Sequence, residues 1–425
     1  MRKILNIKIT NLIQYQHQLY HFALRFSHFA ILNSYHYPSK YPFIAALGAV
    51  SVFSPEKHHF EGLFNWKKNI NDWVFGHLSY DLKNEIESLH SNNPDAIKFP
   101  LMSFFQPQLL IFLNQSNVSY QYLEPLTEQE IKNLHREIIA TPIEQHIDIP
   151  VFKQRISRDD YYNRFNQIKQ HIQVGNIYEM NFCQEFYCDN FTANPASCFN
   201  KIAQTTPMPF SAFYRQNQSF LLCASPERYL KKEGPIVCSQ PIKGTLKRSS
   251  TDTSENLHLL EKNAKDQAEN VMIVDLVRND LSRTAIKNSV KVKELCKVYA
   301  FPTVFQMIST IESKVSPKTP FTEIIKTTFP MGSMTGAPKI KAMELIEQYE
   351  QTKRGLYSGS VGYISPNDDF DFNVVIRSLQ INQDSHYANF ITGGAITIQS
   401  NAEDEYEECF VKAQGLLNAL NTRIE

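Results

Sequence analysis

Paired cysteines, an excess of charge of one sign and long apolar runs are all missing from this sequence of 425 residues. The 7 cysteines are odd in number and scattered without a CxxC spacing, which argues against a disulfide framework or a zinc cluster. We therefore expect reduced thiols in a cytoplasmic protein. Lysine plus arginine and aspartate plus glutamate each total 43, so no basic excess favours a nucleic acid partner. No apolar stretch is long enough for a membrane span, and the N-terminus lacks the pattern of a signal peptide.

Glycine is also scarce, with 14 residues in all, and its placement is uneven. Glycine is used where the backbone takes a positive φ or approaches a ligand closely. The crowded region between residues 332 and 394 therefore predicts a binding site built partly from backbone. Its members are Gly332, Gly336, Gly355, Gly359, Gly362, Gly393 and Gly394.

The organisation of the chain predicts an α+β fold. Apolar residues make up 42% of the sequence and charged residues 20%, which is typical of a globular core. A proline-punctuated connection at 141–152 predicts a boundary between an N-terminal mixed α/β region, 1–150, and a second domain, 151–425. Strands and helices alternate without a regular βαβ rhythm, so we expect layers rather than a doubly wound sheet.

Two helices follow from apolar periodicity. Ser157 and Gly175 are suited to begin and end the first, whose apolar face comprises Tyr161, Phe165, Ile168 and Ile172. The second is predicted at 254–277, starting at Ser254. Its predicted apolar face comprises Leu257, Leu260, Ala264, Ala268, Val271 and Val274. Further helices are expected from Pro338 and from about Ala402.

Two acidic pairs at helical spacing are candidate metal ligands. Glu405 and Glu408 share one face of the C-terminal helix, with Lys412 one turn further. Asp266 and Glu269 have the same spacing on the 254–277 helix. Two helices that each offer a carboxylate suit Mg²⁺, which takes few protein oxygens together with substrate and water oxygens. The alternative is that both pairs lie on solvated helix faces.

Three segments suggest anion binding. Residues 329–339, which include Thr335, form a hydroxyl-rich turn before a helix, suited to an anion or simply to starting the helix. Arg377 lies in a strand-like run, where it is either buried against a carboxylate or exposed on one face. The pair Gly393-Gly394 indicates close approach of a ligand or a bulge, and Tyr357 offers a nearby hydroxyl unless it is only packed.

Glu227 and Lys243 are candidate catalytic groups, sixteen residues apart. Glu227 follows a Ser-Pro turn, and a partly buried carboxyl there would keep its proton and protonate a leaving hydroxyl. Lys243 follows a strand-like run in SQPIKGTLKR and is either a reactive amine or a solvated turn residue. For each residue taken alone, the ordinary turn position is the simpler interpretation.

Nine short segments follow one another in a distinctive order: GNIYEMNFCQEF, SPERYL, PIKGT, KDQAENVMIVDLVRNDL, FPMGSMTGAPK, GSVGY, VVIRSL, GGAI and EYEECFVK. In this order they resemble the chorismate-utilising enzymes, a family that includes anthranilate, aminodeoxychorismate, isochorismate and salicylate synthases. The resemblance spans about residues 155–420, preceded only by FGHLSYDL at 75–82. It implies a layered α/β/β/α sandwich of two packed, antiparallel-rich sheets with helices outside.

The resemblance also implies the binding residues. Mg²⁺ would be held by Glu269 and Glu408, with Glu405 behind them. Chorismate would be the substrate, with its ring carboxylate near the metal and its enolpyruvyl carboxylate elsewhere in the same cleft. The expected substrate contacts are Gly244 and Thr245 for the ring carboxylate, Tyr357, Arg377, Gly393 and Gly394 for the other, and in addition Thr335 and Lys412.

The residue at position 243 indicates which reaction of the family to expect. Family members that form anthranilate typically have alanine at this position, and lysine is typical of members that aminate carbon 4. The implied mechanism has Lys243 adding at carbon 2 while Glu227 protonates the departing 4-hydroxyl, after which ammonia attacks carbon 4 and expels the lysine. An electrostatic role for the same amine is the alternative. We therefore expect 4-amino-4-deoxychorismate, on the route to 4-aminobenzoate and folate.

Two residues depart from the family pattern. Glu179 stands where glutamine is usual, or where lysine would activate water, and Gln306 replaces a common histidine. Ala395 also stands where a third glycine is frequent. Formation of anthranilate and a non-catalytic chorismate-binding subunit remain as alternatives. The sequence shows no glutamine amidotransferase pattern, so ammonia is expected from a separate glutamine amidotransferase subunit or from solution.

Overall fold

A computed structural model describes residues 2–35, 37–114, 117–144, 147–247, 254–301 and 304–425 of the chain. The side chains of residues 247 and 254–257 lie outside this description, and the prediction for Leu257 falls among them. No helix in the described ranges combines the length and the apolar character needed to cross a bilayer.

The described residues form eleven α-helices and twenty strands. The strands are β1 (Lys3–Lys8), β2 (His28–Asn33), β3 (Phe43–Phe53), β4 (Val74–Leu78), β5 (Met102–Asn114), β6 (Asn117–Tyr122), β7 (Lys153–Gln154), β8 (Glu179–Cys188), β9 (Phe210–Gln216), β10 (Ser219–Ser225), β11 (Arg228–Glu233), β12 (Ile236–Gln240), β13 (Ile242–Lys247), β14 (Lys291–Ala300), β15 (Val304–Lys314), β16 (Gly336–Ala337), β17 (Ser360–Ile364), β18 (Phe370–Asn373), β19 (Ser378–Asn382) and β20 (Tyr387–Ile396). The helices are α1 (Leu12–Ala23), α2 (His59–Ile70), α3 (Lys83–Ile86), α4 (Glu128–Ala140), α5 (Arg158–Gln173), α6 (Pro195–Thr205), α7 (Ser254–Glu261), α8 (Ala264–Ser282), α9 (Phe321–Thr328), α10 (Lys339–Tyr349) and α11 (Ala402–Leu420).

Two antiparallel sheets meet at the long strand β5. One sheet runs from β5 through β3, β2, β9, β10, β19, β20 and β8. The other runs from β5 through β4, β17, β18, β11, β12 and β15, with β13 and β14 also paired to β15. Strand β5 belongs to both sheets. The two sheets pack face to face as a sandwich.

Apolar residues alternate along the strands, and the three largest of their four buried clusters define the layers. Ala46, Phe75 and Tyr214 belong to the cluster between the two sheets. A second cluster joins the outer face of the β8–β20 sheet to α1, α5, α6 and α11, and a third joins the outer face of the other sheet to α2, α8 and α9. The predicted α/β/β/α layering and the predominance of antiparallel strands are thereby confirmed.

The helix predicted after residue 157 is confirmed as α5. The Ser157 side chain accepts a hydrogen bond from the Asp160 amide, and Gly175 follows the helix with a φ of 78°. The four predicted apolar residues are the buried ones. A single amphipathic stripe against one sheet is sufficient to specify this helix.

The single helix predicted over 254–277 is wrong, because the chain breaks it into α7 and α8. The side chain of Asn263 accepts hydrogen bonds from the amides of Lys265 and Asp266 and so starts a new helix. The new start changes the helical phase: Val271 is 41% exposed, whereas Asn270 and Ile273 are buried. Ala264 and Ala268, predicted on the buried face, are exposed as well.

The strand-like run that contains Arg377 is also interrupted. It forms β18 and β19 with residues 374–377 between them, and Arg377 takes a φ of 52°. Arg377 therefore lies between two strands, and its predicted position inside a strand is wrong. Tyr357 lies in the turn that precedes β17.

The predicted boundary near residue 150 falls between α4 and β7, and positions 145–146 of that segment lie outside the described residues. Strands from both sides of it share each sheet, since β2 pairs with β9 and β4 pairs with β17. The division into 1–150 and 151–425 stays a prediction.

Candidate active site

Lys243 lies in a bulge of β13. The register against β15 shifts between Ile242 and Thr245, so Lys243 and Gly244 have no opposite residue. Gly244 takes a φ of 86°, and a Cβ there would come within 3.0 Å of Asp266 on α8. The bulge therefore requires glycine at position 244, because the backbone there packs directly against α8.

Four glutamates from separate elements act electrostatically on the Lys243 amine. Burial alone would lower the pKa of Lys243, but Glu179 and, in decreasing order, three other carboxylates raise it above its ordinary value. Those three are Glu269, Glu408 and Glu227. The raised pKa favours the ammonium form of Lys243, so a nucleophilic role requires that it first lose a proton.

Glu227 has the environment of a proton donor. It is 4% exposed, in the turn between β10 and β11, and its Oε1 accepts a hydrogen bond of 2.6 Å from the Ser333 hydroxyl. Burial raises its pKa to about 7, against the opposing effects of Ser333 and Lys243. A carboxyl with this pKa is protonated in a large share of molecules near neutral pH.

Arg377 offers a guanidinium without an acidic partner. Its Nη1 donates to the Lys412 carbonyl at 3.3 Å, and no carboxylate of the described ranges forms an ion pair with it. Burial lowers the pKa of Arg377, since its charge is poorly solvated there. A guanidinium held in this way favours an incoming anion.

The remaining predicted substrate residues differ in whether their polar groups already have hydrogen-bond partners within the protein. The Tyr357 hydroxyl lies 3.6 Å from Cys183 Sγ, and the Thr335 hydroxyl donates to the carbonyls of Met331 and Gly332 within its own turn. Gly393 lies on β20 opposite Cys183, and its carbonyl accepts a bond of 2.7 Å from Lys412 Nζ. Thr245 is exposed at the rim, opposite Gln306.

The three predicted metal ligands share a crowded acidic region. Glu405 is 2% exposed; its Oε1 accepts a 2.7 Å bond from Ser400, and its Oε2 has no hydrogen-bond partner in the described chain. Glu408 Oε2 faces the same backbone, because a Cβ on Gly394 would overlap Glu405 Oε2 and lie 3.2 Å from Glu408 Oε2. Burial raises the pKa of Glu269 to about 7.

Two lysines partly balance this negative charge. Lys265 Nζ lies 4.0 Å from Glu269 Oε1 and 3.7 Å from Glu405 Oε1. Burial would raise the pKa of Glu408. Lys412, whose Nζ lies 2.5 Å from Glu408 Oε1, instead lowers this pKa below its ordinary value. No three acidic, histidine or cysteine side chains in the described ranges stand close enough to enclose a metal alone. The unpartnered buried oxygen of Glu405 and the all-carboxylate set nevertheless suit Mg²⁺, which also takes substrate and water oxygens.

A buried ion pair that the sequence analysis missed supports the cleft. Arg354 is 2% exposed, and its Nη2 lies 2.6 Å from Glu350 Oε1. The same guanidinium donates to the carbonyls of Met334 and Asn181, and so joins the 329–339 turn to β8. The available signal was a Glu and an Arg four residues apart at the end of a predicted helix.

The two departures from the family pattern are both buried beside the lysine bulge. Glu179 begins β8 with no exposed surface, and Gln306 is 3% exposed on β15 opposite Thr245. Both oxygens of Glu179 and Oε1 of Gln306 lack hydrogen-bond partners among the described residues.

The fold matches that of two solved structures. The crystal structure of anthranilate synthase component I from Streptococcus pneumoniae superimposes with a TM-score of 0.77 at 23% identity, over 90% of this chain and 93% of that one. The menaquinone-specific isochorismate synthase MenF of Escherichia coli superimposes with a TM-score of 0.76 at 16% identity, over 99% and 95%.

Sequence comparison defines the family. Residues 42–418 match the chorismate binding enzyme family, and the chain belongs to it. Aminodeoxychorismate synthase component 1 of Escherichia coli K12 is 36% identical over 355 residues, which is 82% of this chain and 76% of that protein. The protein of the same name from Bacillus subtilis 168 is 28% identical over 362 residues, again 82% and 76%.

Proposed function

We propose that this chain aminates chorismate at carbon 4 with ammonia and forms 4-amino-4-deoxychorismate for 4-aminobenzoate and folate synthesis. The observation that carries the proposal is the placement of Lys243 in a bulge among four glutamates, with the buried acid Glu227 beside it. The names of the similar proteins from Escherichia coli and Bacillus subtilis support the same activity.

Binding follows from the charges of the cleft. Chorismate carries two carboxylates, and the guanidinium of Arg377, which has no acidic partner in the described chain, suits one of them. Glu269 and Glu408 would hold Mg²⁺, with Glu405 beside them. When bound, this ion would neutralise the ring carboxylate and offset the repulsion between the acids.

The chemistry proceeds in two conjugate displacements. The neutral amine of Lys243 forms a bond to carbon 2, while the two ring double bonds shift and the 4-hydroxyl leaves with the proton of Glu227. Ammonia then forms a bond to carbon 4, the double bonds shift back and the lysine nitrogen leaves carbon 2. The lysine adduct at carbon 2 allows ammonia to attack carbon 4, so the new amino group takes the position of the hydroxyl that left.

Ammonia would come from a separate glutamine amidotransferase subunit. The designation component 1 in the names of the similar proteins supports a two-part enzyme. All seven cysteines are unpaired thiols, five of them buried, which supports a reducing, cytoplasmic location.

The deciding experiment combines Lys243→Ala with product analysis. Wild-type protein with chorismate, Mg²⁺ and ammonium salts should form a product that retains the enolpyruvyl group, and Lys243→Ala should abolish it while calorimetry still detects chorismate binding. Lys231→Ala, at a surface pair with Glu233, is the matched control and should keep wild-type turnover.

Intact-mass analysis of wild-type protein with chorismate but no ammonia should show a substrate adduct that Lys243→Ala lacks. Release of pyruvate with anthranilate would instead identify an anthranilate synthase. Binding of chorismate without turnover, even with a glutaminase present, would indicate a non-catalytic subunit.

A further inference from the structure

The first turns of α8, which carry Glu269, have little apolar packing to hold them. Every buried residue of this helix lies at or beyond position 270, and the first buried apolar one is Ile273. Residues 264–269 are all exposed or half-buried. A helix is usually held on a sheet by an apolar stripe, and in α8 that stripe begins only after Glu269.

Glu269 also lacks a hydrogen bond that would orient its carboxylate. No residue of the described ranges donates one to it, and its ion pair with Lys265 spans 4.0 Å. Lys265 belongs to the same helix, so this pair does not fix Glu269 relative to the sheets. The location of the carboxylate therefore depends on where the backbone of α8 lies.

The next residue, Asn270, attaches the helix to the sheet through polar contacts. Its side chain is 1% exposed; Nδ2 donates to the Met307 carbonyl at 3.4 Å, and Oδ1 accepts from the Ser309 hydroxyl at 2.5 Å, both on β15. Oδ1 also accepts from the Cys296 thiol on β14 at 3.6 Å. Because a buried amide is costly unless its bonds are made, these directional bonds favour one position of α8 on the sheet.

Ser309 connects the same point to the strand that carries Lys243. Its hydroxyl accepts a 2.9 Å bond from the Cys296 amide, where β14 is irregular and Cys296 takes a φ of 52°. Its own amide donates to the Pro241 carbonyl at 3.2 Å, two residues before Lys243. Ser309 therefore holds α8, β13 and β14 together at one point.

We propose that Asn270 is a positioning residue that, together with Ser309, holds the Glu269 carboxylate in place to bind Mg²⁺. The inference rests on the proposed function, because it takes Glu269 as a metal ligand. Asn270 is bonded to the sheet and acts on the carboxylate through the helix backbone. Mg²⁺ tolerates little change in the placement of its oxygen ligands, so a displaced α8 binds it weakly even with every ligand present.

The test is Asn270→Ala, alone and combined with Glu269→Gln. The measured quantity is the Mg²⁺ dissociation constant, by calorimetry with chorismate present. We expect Asn270→Ala alone to weaken Mg²⁺ binding about tenfold, as for loss of a group that orients a metal ligand. In the Glu269→Gln background the same substitution should change the constant less than about twofold, because the ligand on which Asn270 acts is already lost.

Ser309→Ala is the milder second variant, since it keeps the bond between Asn270 and the Met307 carbonyl. It should weaken Mg²⁺ binding in the wild-type background and have little effect beside Glu269→Gln. If Asn270→Ala does not fold, the same pair of measurements on Ser309→Ala decides the inference.

Asn33→Ala is the matched control for loss of a buried asparagine. Asn33 lies on β2 of the other sheet and is 4% exposed. Its Nδ2 donates to the Tyr20 hydroxyl at 3.2 Å, and its Oδ1 accepts from the Tyr35 amide at 2.8 Å. Both asparagine variants should lower the thermal midpoint, but Asn33→Ala should keep the wild-type Mg²⁺ dissociation constant.

Three results would overturn the inference. A wild-type Mg²⁺ constant in Asn270→Ala would show that α8 does not need this attachment. Equal weakening with and without Glu269→Gln would mean that Asn270 does not act through Glu269. Equal weakening in Asn33→Ala would assign the effect to lost stability. Absence of Mg²⁺ binding in the wild-type protein with chorismate would instead count against the proposed function itself.

Discussion

The hydroxyl of Ser333 donates a 2.6 Å hydrogen bond to Oε1 of Glu227 and ties the candidate acid to the 329–339 turn. The bond opposes the effect of burial on Glu227, whose pKa is raised to about 7. Asn181 holds the Ser333 carbonyl from β8, so the acid is positioned by two segments distant in sequence. A single substitution can therefore remove one of the contacts that oppose the effect of burial on the pKa of Glu227.

We expect Ser333→Ala to raise the pKa of Glu227 further, because a bond that favours the ionised form is lost. The acid works when protonated, so kcat/KM should decline as pH rises through the pKa of Glu227. In the variant this declining limb should move to higher pH, which a pH–rate profile measures. Ser239→Ala is the control, since the Ser239 hydroxyl donates to the Tyr229 carbonyl and not to a carboxylate. A limb that stays in place or moves to lower pH would contradict the assignment.

Arg354→Met should destabilise the protein strongly. The guanidinium is buried, and its loss leaves Glu350 without its cation and the Met334 and Asn181 carbonyls without a donor. Breaking one side of a buried ion pair costs about 3–5 kcal/mol, so urea-induced unfolding should shift to a lower midpoint. Arg278→Met removes an exposed pair with Asp275 and should leave the midpoint unchanged. Equal midpoints for the two variants would show that the buried pair contributes little.

Sequence periodicity predicts α5 well and α8 poorly, and the difference is physical. The apolar stripe of α5 from Tyr161 to Ile172 faces one sheet, so one period describes it. Along 254–282 the phase is set by Asn263, whose side chain caps α8. The restart also turns Glu269 towards Lys243, which no apolar pattern signals.

The residues of the site likewise include some that the sequence identifies and some that it does not. Lys243 and Glu227 were identified through the resemblance to the chorismate-utilising enzymes, because their positions beside Gly244 and Pro226 alone favour ordinary turn residues. Arg354 was not, because its burial depends on carbonyls of Asn181 and Met334 that only the fold brings near. The position of Arg377 was missed for a related reason: the backbone leaves the strand after Asn373 and reaches β19 only after Arg377, whose φ is 52°.

Removal of Mg²⁺ by EDTA should abolish turnover, and the Mg²⁺ affinity should depend on Glu269. Burial raises the pKa of Glu269 to about 7, and a metal binds only the ionised form. The Mg²⁺ dissociation constant, measured by calorimetry with chorismate present, should therefore rise as pH falls below about 7. Glu269→Gln should weaken Mg²⁺ binding about tenfold or more and abolish this pH dependence. Glu407→Gln, on the exposed side of α11, should change neither.

Gly394→Ala and Gly393→Ala should impair different properties, Mg²⁺ binding and stability respectively, although the two glycines are adjacent on β20. A Cβ on Gly394 meets the carboxylates of Glu405 and Glu408, which can rotate away, so this variant should fold but bind Mg²⁺ poorly. A Cβ on Gly393 meets the Phe182 carbonyl on the neighbouring strand, which cannot move without breaking the sheet. We expect Gly393→Ala to lower the thermal midpoint and Gly394→Ala to leave it near that of wild type. Wild-type Mg²⁺ affinity in Gly394→Ala would mean that Glu405 and Glu408 do not need their present positions to hold the ion.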